Sequence, residues 1–421
     1  MILHLDLDCF FVSAHRTIDS SLHGIAVAVG GRSNLTIFDK QNSTKVLNSS
    51  KGAFVGSVIS TSSSSDENYF LDEHGRARGI ITTCSYEARA YGVKTAMSVS
   101  EALSFCPHLK MVKPNYALYH ELSTQLAQFL QAKVPVVEQF SIDEFFANAN
   151  GYVKPQELLL FAQQLQQDIL TTFKLPISIG IAPSKYMSKL ATEFAKPYGI
   201  KVIKKEEVET FIQDLPVEIF PGVGKNIKQR LHAFGIRKLG QIKNKKALLY
   251  SWKKPGQQLY HRICGNDNEK VIPNNSKRKS IGIGRSFDPI VSRDEIKRRL
   301  LIMCRYISFL TKKQQVNPQC FFLKIKYEYN IKAKKSLNHN RLFSEFFFKQ
   351  SILKLFDELD THPLHQIVQL NMAVSNFNEQ AQKSFDMFSY EQDLKDVKLC
   401  SCMKDLRDKF GVDIIKHAAE L

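Results

Sequence analysis

The chain has 421 residues, too many for one ordinary hydrophobic core, so it should divide into roughly two to four domains. Its 58 Lys and Arg against 41 Asp and Glu leave a net charge of +17, which favours a polyanionic partner, nucleic acid before membrane. No apolar run approaches the roughly 18 residues that span a bilayer, and the first residues read as a strand rather than a basic, apolar leader, so a soluble cytoplasmic protein is expected.

In chain order, 2–8 read as a strand, 10–20 as a helix and 25–30 as a second buried strand. From Arg32 to about Gly79 Ser, Thr, Asn and Gly dominate, culminating in Ser62-Ser63-Ser64-Ser65-Asp66, which predicts a long loop or partly disordered insertion. A strand follows at 80–84. Leu118, Leu122, Leu126, Phe129 and Leu130 then recur at helical spacing over 117–132, and strands flank Ser141 to Phe146. Pro155 opens a helix carrying Leu158, Phe161, Leu165, Ile169 and Phe173, and 177–181 is strand again. Strands alternating with helices predict a sheet domain through about residue 215.

Residues 216–270 are small and helical. There Pro221-Gly222-Val223-Gly224-Lys225 joins two short helices in a helix-hairpin-helix pattern, whose turn offers backbone N–H groups to a phosphate, with Lys225, Lys228 and Arg230 close by. A basic linker covers 271–280. Beyond it, strands at 281–284, 320–327 and 367–374 and helices at 294–310 and about 350–359 predict a separate α+β domain. The eight cysteines form no CxxC pair, which argues against a zinc site and a disulfide framework and predicts reduced, mostly buried thiols.

Two acidic strings stand out, Leu5-Asp6-Leu7-Asp8-Cys9-Phe10-Phe11 and Ser141-Ile142-Asp143-Glu144. Each sets carboxylates in an apolar run that reads as a buried strand, where an ionised carboxylate is costly without a cation or hydrogen bonds to hold it. A pair of divalent ions held by carboxylates of two neighbouring strands satisfies both strings at once. Successive strand residues point to opposite faces, so Asp143 and Glu144 need a local twist, or the longer Glu arm, to reach one site. Asp8, two residues past Asp6, is either a fourth ligand or a cap for the following helix.

These strings, HLDLDCFF at 4–11 and FSIDEFF at 140–146, are collinear with CSYEARAYGVKTAM at 84–97, GIAPSKYMSKLATEFAKP at 180–197, PGVGK at 221–225, KSIG at 279–282 and DLRDKFGVDIIKHA at 405–418. Together they resemble the Y-family translesion DNA polymerases, most closely the bacterial DNA polymerase IV branch. The resemblance implies an α+β multidomain fold: a ferredoxin-like palm (1–30 and 98–215), small fingers (31–97, with the Ser-rich insertion at about 32–79), a helix-hairpin-helix thumb (216–270), the 271–280 linker and a little finger (281–421) carrying a clamp-binding peptide. It implies a DNA-directed DNA polymerase that copies past damaged bases with low fidelity and low processivity. Its partners would be primer-template DNA, deoxynucleoside triphosphates and the sliding clamp, with no membrane and a monomeric chain.

By the same resemblance, two Mg²⁺ ions would sit on Asp6, the Leu7 carbonyl, Asp143 and Glu144. Phe11 would be the steric gate against a 2′-hydroxyl, where its residue type alone suggests a core Phe. Tyr86, Arg89 and Lys196 would bind the triphosphate, with Thr83 beside them, and Ser141 would shape the hairpin. Gly222, Gly224, Lys225 and Lys228 would grip DNA, and Lys185 and Lys189, one helical turn apart, would face it. Gln382, Phe385, Met387 and Phe388 would dock on the clamp, in preference to the string at 350–356. Two rivals are an inactive scaffold of the same fold, against which the intact Asp6, Asp143 and Glu144 count, and a nucleotide cyclase, whose signature is not found.

Overall fold

The element order begins β1 (Ile2–Leu7), α1 (Phe10–Ile18), β2 (Val27–Gly31), β3 (Lys45–Val46), β4 (Ile59–Ser60), β5 (Ile80–Cys84), α2 (Tyr86–Ala90), α3 (Val99–Phe105) and β6 (Lys110–Val112). It continues with α4 (Tyr116–Lys133), β7 (Val136–Gln139), β8 (Glu144–Asn148), α5 (Leu158–Phe173), β9 (Ile177–Ala182), α6 (Lys185–Ala195) and β10 (Ile200–Val202). Four helices follow, α7 (Val208–Ile212), α8 (Lys225–Ala233), α9 (Lys246–Ser251) and α10 (Lys253–Ile263). The last stretch holds β11 (Ser280–Ile290), α11 (Arg293–Lys313), β12 (Pro318–Tyr327), β13 (Lys332–Asn338), α12 (Glu345–Leu359), β14 (Ile367–Phe377) and α13 (Tyr390–Phe410). The computed structural model describes residues 1–33, 35–39, 45–46, 59–60, 69–71, 74–273, 278–377, 386 and 388–421. Two units result: Met1–Gly30, Ser50–Ala53 and Ile80–Asn275, and Gly31–Ser49, Phe54–Gly79 and Ser276–Leu421.

In the first unit β1 is the middle strand of a five-stranded sheet, β10-β9-β1-β8-β7, antiparallel to both neighbours. All six of its residues are buried, so strand alternation sorts them between two covered faces. Leu3, Leu5 and Leu7 join Tyr119, Leu126 and Leu130 of α4 and Leu158, Leu165 and Ile169 of α5 in one core. His4 and Asp6 turn the other way, to Thr192 and Lys196 at the end of α6. Gly180 permits α6 to lie this close, because a Cβ there would stand 2.1 Å from the Ser188 carbonyl oxygen. A three-stranded sheet, β5-β2-β6, lies in the same unit with the short helices α2 and α3, capped by Ser85 and Ser98. Helices α7 to α10 pack around Leu231, Leu239, Leu249 and Ile263 in a core they share with Met187 and Leu190 of α6.

The second unit has a four-stranded antiparallel sheet, β11-β14-β12-β13, covered by α11 and α12. Two of its elements escape hydrophobic periodicity. The edge strand β13, Lys-Ala-Lys-Lys-Ser-Leu-Asn, owes its conformation to pairing with β12, and α13 buries Asp393, Cys400 and Arg407, mostly polar residues seven apart. Arg407 pairs with Glu345, which also meets Lys349 at 2.7 Å, so α13 is held by charge as well as by packing. Residues 36–38, read from sequence as part of the loop, form a 3-10 turn that buries Ile37 and Phe38 in this unit's core. All eight cysteines are free thiols. Among the described residues no helix is long and apolar enough to cross a membrane.

Candidate active site

Asp6 of β1 lies directly opposite Glu144 of β8, which sets both carboxylates on the face covered by α6. Each is matched to a lysine from that helix or its end. Lys196 Nζ donates to Asp6 Oδ2 at 2.9 Å and to Glu193 at 3.1 Å, and Lys189 Nζ donates to Glu144 Oε1. His4 forms the floor, fully buried, its Nδ1 2.9 Å from Thr192 Oγ1 and its Nε2 3.8 Å from Glu144 Oε2. That last distance is too long for a hydrogen bond, and Nε2 finds no hydrogen-bond partner among the described residues. One ligand atom from each of His4, Asp6 and Glu144 lies within 4.8 Å of the others, a donor set that fits a divalent cation.

Burial dominates the electrostatics. It pushes Asp6 up to about 7, against the pull of Lys196, with the neighbouring charges of Glu144 and Asp143 adding to the rise. Burial also raises Asp143. Glu144 feels the same desolvation, but Lys189 and the His4 side overcome it and hold it down to about 2. Desolvation lowers His4 to about 4, so its ring is neutral near pH 7. The pair therefore splits in direction: Asp6 is the easier of the two to protonate and Glu144 the harder.

Asp143 precedes β8 and lies in the turn, where strand alternation no longer applies. Its carbonyl accepts the Leu7 N–H at 3.0 Å, which brings the turn against the end of β1, and its carboxylate accepts the Ser141 hydroxyl at 2.5 Å. Ser141 Oγ also accepts the Asp143 and Glu144 N–H groups, so this hydroxyl organises the hairpin. Asp8 does not cap α1, whose N-cap is Cys9 with no side-chain hydrogen bond. Its buried carboxylate instead accepts Ser178 Oγ, the Tyr198 N–H at 2.8 Å and the Tyr86 hydroxyl at 2.9 Å.

Around this centre stand the other candidates. Phe11 is half-buried and stacked on Tyr119, with ring centroids 4.3 Å apart and planes 10° off parallel; Tyr119 is fixed by its hydroxyl contact of 2.7 Å to His15. Tyr86 and Arg89 share a face of α2, the guanidinium 5.0 Å from the ring centre. Thr83, on β5, turns its hydroxyl to the Thr82 carbonyl.

Comparison with known proteins decides the family. The impB/mucB/samB family model matches residues 5–193, its C-terminal domain 278–387 and its HHH motif 205–236. A DNA polymerase IV of Lactococcus lactis subsp. cremoris is 30% identical over 313 residues, 72% of this chain and 84% of that protein. The chain belongs to the Y-family DNA polymerase IV family. A family member from Bacillus anthracis is 28% identical over 429 residues, spanning 100% of this chain and 93% of its own. Among solved structures, a Y-family polymerase chimera of Dbh and Dpo4 matches with a TM-score of 0.70 at 20% identity, covering 89% of this chain and 98% of that one. A Dbh polymerase in an insertion ternary complex matches with a TM-score of 0.58. These neighbours carry the mixed α+β fold expected from the sequence.

Within the matched HHH motif of this DNA polymerase IV family member, Gly222 adopts φ 96° and Gly224 begins α8, with open space around the Cβ position of each. Lys225 is exposed, and Lys228 pairs with Glu218 at 2.8 Å. Lys185 departs from expectation. Its ammonium is buried over the Phe146 ring and shared between both Glu138 oxygens at 2.8 Å, because Lys185, about three helical turns before Lys196, lies on the same sheet-facing side of α6. Lys189 faces Glu144 rather than an open surface. Of the clamp-peptide candidates, Gln382, Phe385 and Met387 lie outside the described residues, and Phe388 is almost fully exposed. His4 and Thr192 were missed in the sequence, although His4 sits two residues before Asp6 and so shares its face by strand alternation.

Proposed function

We propose that this family member extends a primer opposite damaged template bases, with Asp6, Asp143, Glu144 and the Leu7 carbonyl holding two Mg²⁺ ions at the primer end. The observation that carries the reading is the register of Asp6 against Glu144, a buried and a half-buried carboxylate on one sheet face, each held by the ammonium of a long, flexible side chain. Bound there, Mg²⁺ would supply Lewis acidity to the primer 3′-hydroxyl and charge neutralisation to the leaving pyrophosphate. The chain supplies the rest. Lys196, freed from Asp6, reaches the triphosphate with Arg89 and with Tyr86, whose hydroxyl is otherwise taken by Asp8. His4, its ring set by Thr192, forms the floor of the site beneath Glu144. Phe11, braced by Tyr119, lies under the sugar and leaves no room for a 2′-hydroxyl.

DNA is held without reading its sequence. The Gly222–Gly224 turn with Lys225 and Lys228 meets backbone phosphates. On the second unit's sheet Lys324 stands opposite Lys334, and Lys326 opposite Lys332, like charges whose mutual repulsion an anionic strand relieves. The small β5-β2-β6 region makes few contacts with the new base pair, which admits distorted bases and weakens rejection of mismatches. Residues 382–388 tether the chain, a cytoplasmic monomer, to the sliding clamp.

Primer extension on undamaged and abasic templates with Mg²⁺, wild type beside D143A and E144A, tests the centre. Extension by wild type alone is the expected result, and equal extension by all three would reject the metal assignment.

A further inference from the structure

In the segment between β2 and β5, Ile37 and Phe38 are both at least 96% buried, with Leu35 packed beside them. They are buried in the core of the second unit, among residues of α11 and the four-stranded sheet. The seat is specific. The Arg299 guanidinium of α11 lies 4.7 Å from the centres of both the Phe38 and the Phe287 rings. Arg298, one residue earlier, gives two N–H groups to the Phe38 carbonyl at 3.1 and 3.2 Å and a third hydrogen bond to the Glu420 carbonyl. Ser33 Oγ accepts the Ser286 N–H at 3.0 Å, on β11, an edge strand of the sheet, just before its register shifts.

We infer that Ser33 and residues 35–38 form an intramolecular strap: a plug from the β2–β5 connection, seated in the second unit, that holds the 277–421 segment to the rest of the chain independently of the 271–280 linker. Covalent reach gives this its force. Val29 is fully buried in the first unit and Ile37 is buried in the second, eight residues on, so no more than about 29 Å of chain separates the two anchors. The linker, from buried Val271 to buried Ile281, permits about 36 Å over ten residues. The strap is the shorter of the two ties. Withdrawing Phe38 would empty an aromatic site and strip the Arg298 N–H groups of their carbonyl, so the seated state is the stable one.

The test needs neither DNA nor nucleotide, so its failure would leave the proposed activity standing. A site for a sequence-specific protease is placed in the full-length chain between 274 and 277, and the cut protein is run by native gel filtration. The two pieces should elute together near the intact mass of 48.0 kDa and separate only in denaturant. With I37A/F38A they should dissociate at protein concentrations at least about 100-fold higher than wild type. R298Q, which leaves the apolar plug whole, should weaken association by roughly tenfold and serves where the double variant's 277–421 piece loses its circular dichroism. Separation of the wild-type pieces at micromolar concentration would overturn the strap, as would variants whose pieces hold together as tightly as wild type.

Discussion

Burial pushes the Asp6 carboxyl up while Lys189 and His4 hold Glu144 down, and this difference has a measurable consequence. Because burial raises Asp6 to about 7, the folded metal-free protein keeps a proton between pH 4 and 7 that an unfolded Asp has released, so this group's contribution to stability falls as pH rises through that window and is flat above it. A cation entering the site must expel the same proton. Mg²⁺ affinity should therefore climb from pH 5.5 to 7 and level off above, and calorimetry in two buffers of different ionisation enthalpy should find about one proton released per complex at pH 6 and almost none at pH 8.5. At the gate, F11A should lower the preference for deoxy- over ribonucleotides by roughly 100-fold in kcat/KM, with little change in Tm, since Phe11 is only half-buried. Unaltered sugar selection would remove Phe11 from that role. Removal of either Asp6 or Glu144 by substitution with Ala should cost roughly 10³-fold in single-turnover rate while leaving DNA affinity nearly intact.

Helix α6 is the element that assembles the centre. It supplies Lys189, Thr192 and, at its end, Lys196, and it reaches them to β1 only because position 180 on β9 is glycine. G180A should therefore destabilise the fold by about 1–3 kcal/mol, read as a lower urea midpoint, and should also slow extension, because a displaced α6 carries its lysines away from both carboxylates. Normal activity in a destabilised G180A protein would separate packing from site assembly. In the thumb, K225A/K228A should weaken binding to all DNA sequences alike and reduce the salt slope by about one for each phosphate the turn no longer neutralises.

For the molecule as a whole, a charge of +17 predicts DNA binding that falls steeply with salt and is indifferent to sequence. Part of that charge is built into paired positions on the second unit's sheet, where Lys324 and Lys334 face each other. Deleting 382–388 should abolish stimulation by the sliding clamp and spare basal extension, and an unchanged clamp response would exclude that peptide.

What the amino-acid order alone determined was the alternation. Buried strands announce themselves by apolar runs, amphipathic helices by their period, and a carboxylate inside such a run by its cost, so β1, β8, β9, α4, α5 and the acids Asp6 and Glu144 were legible without coordinates. Tertiary packing decided what each charge meets. Whether Lys185 faced DNA or Glu138, whether Asp8 capped a helix or bound Tyr86, Ser178 and Tyr198, and whether Ile37 and Phe38 lay in a loop or in a core depended on partners between 47 and more than 200 residues away. Local pattern carries no record of such partners, because side-chain pairing across the chain is set by which surfaces close on one another and not by spacing along it.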